Sequence, residues 1–419
     1  MAGRNLKMLL VTLAALLAAG TALADPPGPA SDGERLRPGL YPAAPVPEGF
    51  GVPAEPGHPP FDIDWSIGLK GTLTGSTDGS SFVTTLTPQF TAIHEGRRTD
   101  LTIEGQADLA RPQDGRIEVP ALRLGLSSTT ALDRRTRLSG RAALELSRQL
   151  PGTPGLDPRI IEPPHILTGA IGAGIERRFG RFNLGVNGDL SRTLYGPTTR
   201  TDSGLTDNSD QNVWSGEARL RLGYQATPIL EVFGEATLGR DWFDRPAPGL
   251  GLRTDATGRA LRAGLAGKWN GILSASASIG VGQHDFDAPG IADITTRLYD
   301  VKVVFTPDPT LNLTAALSTG IEPTGADSAG TARVSHRAVA EIDYTVNSWL
   351  RLRASADWGH STLEGSDETE RRHGFGTGAD YRLGKHTALA ADYRYGHSDN
   401  SRSGVFDAHT VSLGITLRR

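Results

Sequence analysis

The tripeptide His397-Ser398-Asp399 holds the three side-chain types of a hydrolytic relay, in which a base takes the proton of a serine nucleophile and a carboxylate orients the base. On a strand, successive side chains point to opposite faces, so His397 and Asp399 point one way and Ser398 the other. The relay therefore cannot assemble from these three. His284-Asp285 and His360-Ser361 are equally isolated. The ten histidines show no H-x-x-x-H spacing on a helix, and the absence of cysteine removes thiolate metal sites, disulfides and a thiol nucleophile. The glycine-rich segment Gly374 to Gly378 precedes no helix and is no phosphate loop. Asp202, Asp207 and Asp210 offer the oxygens a hard cation takes, but without EF-hand spacing. The expectation is a protein that is no enzyme, with no catalytic, cofactor-binding or metal residues and no cofactor.

Charge is what the sequence does place regularly. Lys70, Glu104, Arg137, Arg141, Glu145, Arg219, Arg221, Glu231, Glu235, Arg262, Lys268, Arg337, Glu341, Arg351, Arg353, Asp357 and Arg394 each stand one position from an apolar residue. If the apolar sides meet lipid, these side chains line an aqueous lumen. Both signs are present, so no ring of one sign enforces strong ion selectivity.

The elements that would position them are strands. Leu350, Leu352, Ala354, Ala356 and Trp358 alternate with Arg351, Arg353, Ser355 and Asp357, and Leu220, Leu222 and Tyr224 alternate with Arg219 and Arg221. Period-two alternation gives each strand one apolar and one polar face. Such segments fall at about 62–75, 81–94, 99–111, 115–131, 136–149, 165–178, 181–194, 213–226, 229–243, 256–269, 272–286, 292–306, 310–322, 331–346, 349–362, 369–383, 386–398 and 405–418, which makes about 18 strands. Tight links such as Asn270-Gly271, whose type I′ turn needs positive φ twice, alternate with longer polar ones. The longest, Gly196 to Asn212, is expected as a solvated outer loop, with inward folding the alternative. Phe179, Phe182, Tyr224, Trp269, Phe305, Tyr344, Trp349 and Tyr381 lie beside the tight turns. Tyr195, Trp214, Trp242, Phe243, Phe286, Trp358 and Tyr395 lie near the longer loops, so two aromatic belts suit two membrane interfaces. The predicted fold is all-β: an antiparallel up-and-down transmembrane β-barrel with both termini periplasmic. Closure is what disposes of sheet edges inside lipid.

Of 419 residues, 43 are Lys or Arg and 47 Asp or Glu, a net charge of −4, so no basic field draws nucleic acid. Residues 1–24 read as a signal peptide: Arg4 and Lys7, an apolar run from Met8 to Ala19, then the small-residue site Ala22-Leu23-Ala24. Residues 25–60 carry 11 of the 27 prolines without apolar periodicity and read as a periplasmic linker. The barrel occupies 61–419.

With this lead, the segment Tyr344 to Trp358, and a final strand in which Val411, Leu413, Ile415 and Leu417 alternate with Ser412, Gly414 and Thr416, the chain resembles the β-barrel porin type 2 group of Gram-negative outer-membrane proteins. The resemblance implies a porin-type barrel in the outer membrane of a Gram-negative bacterium. Its partners would be outer-membrane lipid, the outer-membrane assembly machinery and small hydrophilic solutes. No functional residue and no oligomeric state carries over. Two functions stay open: passive passage of small hydrophilic solutes, or a surface-attachment or polysaccharide-export barrel acting as an interaction protein.

Overall fold

The computed structural model describes residues 61–77, 79–113, 115–148, 159–248, 250–324 and 330–419. The expected signal peptide, 1–24, and linker, 25–60, lie outside the described residues.

Period-two sequence becomes strand throughout the unit Ile63–Arg419. In chain order the strands are β1 (Asp62–Ser76), β2 (Gly79–Glu95), β3 (Thr99–Pro112), β4 (Glu118–Ala131), β5 (Thr136–Ser147), β6 (Ile160–Glu162), β7 (Ile166–Phe179), β8 (Phe182–Tyr195), β9 (Thr198–Arg200), β10 (Gly204–Thr206) and β11 (Val213–Thr227). They continue as β12 (Leu230–Phe243), β13 (Ala256–Trp269), β14 (Leu273–Phe286), β15 (Ile294–Asp308), β16 (Leu311–Glu322), β17 (Ala332–Thr345), β18 (Leu350–Glu364), β19 (Thr369–Arg382), β20 (Thr387–Asn400) and β21 (Gly404–Arg418). Eighteen of them form one sheet, in which β1 pairs with both β2 and β21, so the sheet closes on itself. The closing seam runs antiparallel from Ser66 opposite Arg418 to Ser76 opposite Ala408. Each of the eighteen alternating segments lies within three residues of its strand at both ends. The three-residue strands β6, β9 and β10 make a separate small sheet from the two longest loops, which no periodicity announced.

Tight turns are held by local chemistry. Asp133 accepts the backbone N–H groups of Arg135 at 2.6 Å and Thr136 at 2.8 Å, and Asn347 accepts those of Trp349 at 3.0 Å and Leu350 at 2.9 Å. Between β13 and β14, Asn270 and Gly271 adopt φ of 50° and 73°, and the Ile272 N–H donates to the Trp269 carbonyl at 2.9 Å. That is the primed turn expected from the sequence. A side chain at Gly271 would meet open space, so only its backbone conformation is at stake. Gly271→Val is therefore expected to destabilise the barrel by about 1–2 kcal/mol, measurable as a lower urea midpoint in phospholipid vesicles.

The outward face is apolar: Leu261, Leu413 and Leu238 are 69%, 66% and 60% exposed. At the short-turn rim the aromatic belt is as expected, with Phe182 and Tyr224, and Trp349 and Tyr381, each pair packed at 5.2 Å. At the long-loop rim it is thinner than expected. Trp214, Trp242, Trp358 and Tyr395 share the outward face, but the strand registers turn Tyr195, Phe243 and Phe286 inward. Trp242 and Phe243 are consecutive on one strand, so they cannot share a face.

Candidate functional site

Directly paired residues in a sheet share a face, so face identity can be passed from strand to strand. Lys70 pairs with Gly414, Gly414 with Ala390, Ala390 with Asp380, and Asp380 with Arg351. The shared face continues through Arg353 to Asp343, and along the remaining registers to Arg262, Glu235, Arg221, Glu176 and Arg137. All seventeen charged residues singled out from the sequence lie on this one face. One cavity is lined by Arg141 of β5, Asp189 of β8, Arg219 of β11, Arg262 of β13, His284 of β14 and Glu322 of β16. Side chains from strands so far apart in the ring meet only on the concave side, so the face is inward.

Eleven of the seventeen are in ion pairs. Arg141 meets Asp189 at 2.5 Å, Glu145 meets Arg123 at 3.1 Å, and Arg221 meets Glu231 at 3.0 Å. Arg219 reaches Glu217 at 2.6 Å and Glu235 at 3.6 Å, and Glu235 also faces Arg262 at 3.8 Å. On the opposite wall Arg351 meets Asp343 at 2.7 Å, Arg394 meets Asp357 at 2.6 Å, and Arg353 bridges Asp380 at 3.0 Å and Asp392 at 2.6 Å. Lys70, Glu104, Arg137, Lys268, Arg337 and Glu341 make no ion pair among the described residues. The exposed pairs, such as Arg141 with Asp189 and Arg394 with Asp357, are each worth under about 1 kcal/mol, so their main effect is to set the field along the wall. Arg123, Glu217, Asp343 and Asp392 escaped the sequence reading, although their parity in the alternating segments marks them equally well.

The two ends of the loop Gly196 to Asn212 are packed and turn across the mouth, while residues 201–205 at its tip are exposed, as expected of a solvated outer loop. Its β9 pairs with β6 and β10, Thr198 is fully buried, and Asn208 donates to Thr198 Oγ1 at 2.7 Å and to the Gly196 carbonyl at 2.9 Å. Thr324, just past β16, lies 3.4 Å from Gln211 Oε1, although β11 and β16 stand five places apart in the ring. Asp202 and Asp207 do not converge on a cation site. Asp202 is taken by Arg200 and Arg159, and Asp207 by Arg245 at 3.1 Å. Asp207 also accepts the Ser209 N–H and hydroxyl, each at 2.9 Å.

These bonds, the Ser209 amide foremost, hold the Asp207 carboxyl below its ordinary value. A group whose pKa is lower folded than unfolded stabilises the fold above the unfolded value and stops doing so as pH falls through the folded one. The loop clasp should thus be intact at neutral pH and released only below about pH 4. Conductance recorded against pH checks this: a step at pH 6 to 7 would rule Asp207 out as its cause.

The catalytic types that the sequence sets side by side are placed apart by the strands. His397 Nδ1 lies 2.8 Å from Asp407 on the outward face, and Ser398 is on the other. His284 approaches Asp241 at 3.9 Å, but Ser215 donates to that same carboxylate at 2.5 Å, so the serine is not bonded to the imidazole that would have to activate it. Five histidines that look scattered in sequence, His336, His360, His373, His397 and His409, gather outward on β17–β21, with the rings of His373 and His397 stacked at 4.4 Å. No group of three or more metal-binding side chains occurs among the described residues.

Residues 70–419 match the sequence family described as Putative beta-barrel porin 2. No curated protein matches the chain. Among solved structures, OccK2 (OpdF) of Pseudomonas aeruginosa aligns over 85% of this chain and 98% of its own, at 10% identity and a TM-score of 0.45. OccK3 (OpdO) of the same organism aligns over 85% and 96%, at 14% identity and 0.42, and its OpdK, solved with vanillate, over 85% and 99%, at 12% and 0.42. At such identities and scores the likeness carries no weight for solute or mechanism.

Proposed function

The chain belongs to the family described as Putative beta-barrel porin 2, and from that membership and its lumen we propose that it passes small hydrophilic solutes passively across the outer membrane of a Gram-negative bacterium. It is a porin-like outer-membrane β-barrel, and its finer role rests on one observation. An 18-stranded closed sheet carries charged side chains on its inward face in every sector, from Lys70 on β1 to Arg394 on β20. Barrels of about 16–18 strands are wide enough to leave an aqueous channel, and a charged wall keeps water in it. Mixed ion pairs hold the wall without closing it, while the inward loop narrows one mouth.

In this reading residues 1–24 are a cleaved export signal and 25–60 a periplasmic linker. The start of β1 and the end of β21 stand together at the short-turn rim, which is then the periplasmic one. The outer-membrane assembly machinery inserts the barrel, and lipid covers the Leu261 and Leu413 face.

Reconstitution into planar bilayers tests the reading. Stepwise conductance is expected. Protein with the heat-modifiable gel mobility of a folded barrel, inserted yet never conducting, would refute passage.

A further inference from the structure

Charge on the inward face is not evenly matched along the axis. In the middle of the wall between β5 and β13, Arg141, Arg219 and Arg262 each face a carboxylate. At the short-turn end of the same sector a second cavity, of about 750 Å³, is lined by Arg137, Arg178, Arg181, Arg221 and Lys268, with Glu176 and Glu231 as its only acids among the described residues. Glu231 is already held by Arg221 at 3.0 Å, and Glu176 accepts from the Asn183 amide at 2.7 Å. Arg137, Arg178, Arg181 and Lys268 are exposed and enter no ion pair among the described residues. The cavity therefore has a surplus of three positive charges in a chain whose net charge is −4. Placement, not composition, produces it.

A cleft lined by one sign of charge raises the local concentration of counter-ions. Guanidinium groups add geometry, because their forked donors match the paired oxygens of a carboxylate or phosphate. Asn183, Asn187 and Ser139 stand in the same cavity as neutral hydrogen-bonding groups. We propose that this cavity binds small oxyanions, carboxylate or phosphate in type, and thereby makes the channel favour anions over cations. The selectivity half of the inference rests on the passage reading, while the binding half does not. It also revises the expectation from mixed sign alone: opposite charges cancel only where they pair, and here four cations do not.

Two measurements on the full barrel separate the possibilities. In planar bilayers under a salt gradient of about tenfold KCl, the reversal potential should show chloride preferred over potassium. The variant R137Q/R178Q/R181Q/K268Q should lower that preference at least about threefold, and Arg141→Gln, which removes a paired charge, should change it less. In detergent, titration calorimetry with inorganic phosphate and with acetate should show binding to the native barrel, weakened in the quadruple variant. Binding of phosphate alone or acetate alone assigns the oxyanion type. All four altered side chains are exposed, and gel mobility before and after boiling verifies folding. A conducting native barrel that prefers potassium, or a preference unchanged in the variant, overturns the anion selectivity. Failure of both oxyanions to bind overturns the site. A barrel that binds phosphate but does not conduct supports the site and refutes passage instead.

Discussion

Leu261→Arg is expected to cost about 2–4 kcal/mol of barrel stability, among the largest effects open to a single substitution here. Leu261 lies near the middle of β13, paired with Ala236 on one side and Val281 on the other, and is 69% exposed. In water such exposure would matter little. Facing hydrocarbon at mid-depth, an arginine must either desolvate its guanidinium or distort the bilayer to keep it wet, and the cost falls toward zero near the interfaces. Arg141→Leu is the matching control on the inward face. Arg141 pairs with Asp189, but its side chain is 69% exposed to the lumen, so losing the pair should cost no more than about 1 kcal/mol. Urea unfolding from phospholipid vesicles measures both. Equal sensitivity at the two positions would refute the face assignment, and greater sensitivity at Arg141 would reverse it.

The strands were legible because each residue pair repeats the same information: one side chain suits lipid and its neighbour suits water. Arg353 beside Leu352 and Arg262 beside Leu261 state the wall's two faces without reference to any distant contact. Ion-pair partners were legible only as parity. That Arg353 bridges Asp380 and Asp392 depends on the registers of β18 with β19 and of β19 with β20, which are fixed by hydrogen bonding between strands. The alternation also misleads once it runs beyond the hydrocarbon. Arg240 and Arg259 occupy outward positions at the long-loop rim, where they pair with Asp287 and Asp285. Least legible was the inward loop. Thr198, Asn208 and Gln211 show no period, and their packing depends on β6 and on Thr324, which is 113 residues from Gln211.

Removing residues 198–206 is expected to raise single-channel conductance by a factor of about two or more, because current through a pore is limited by its narrowest section. The segment carries β9 and β10, and β9 is the strand on which both β6 and β10 pair. It also carries Thr198, the residue that Asn208 holds. Without it the small sheet has no centre, and Asn208 loses one of its two anchors. Gln211 and Thr324 meet across more than a quarter of the ring, from β11 to β16, so this link should loosen with the sheet. The wall itself should stand. The β8 and β11 strands that flank the loop are paired from Thr193 opposite Val213 to Phe182 opposite Tyr224, and Asn212 accepts the Tyr195 N–H at 2.7 Å at their shared end. Thermal stability should then change little while conductance rises, a combination that a general loss of folding would not produce. If conductance instead stays at the native level with the barrel intact, the narrowest section lies deeper, at the belt of Arg141, Arg219 and Arg262, and the inward loop covers the mouth without limiting it.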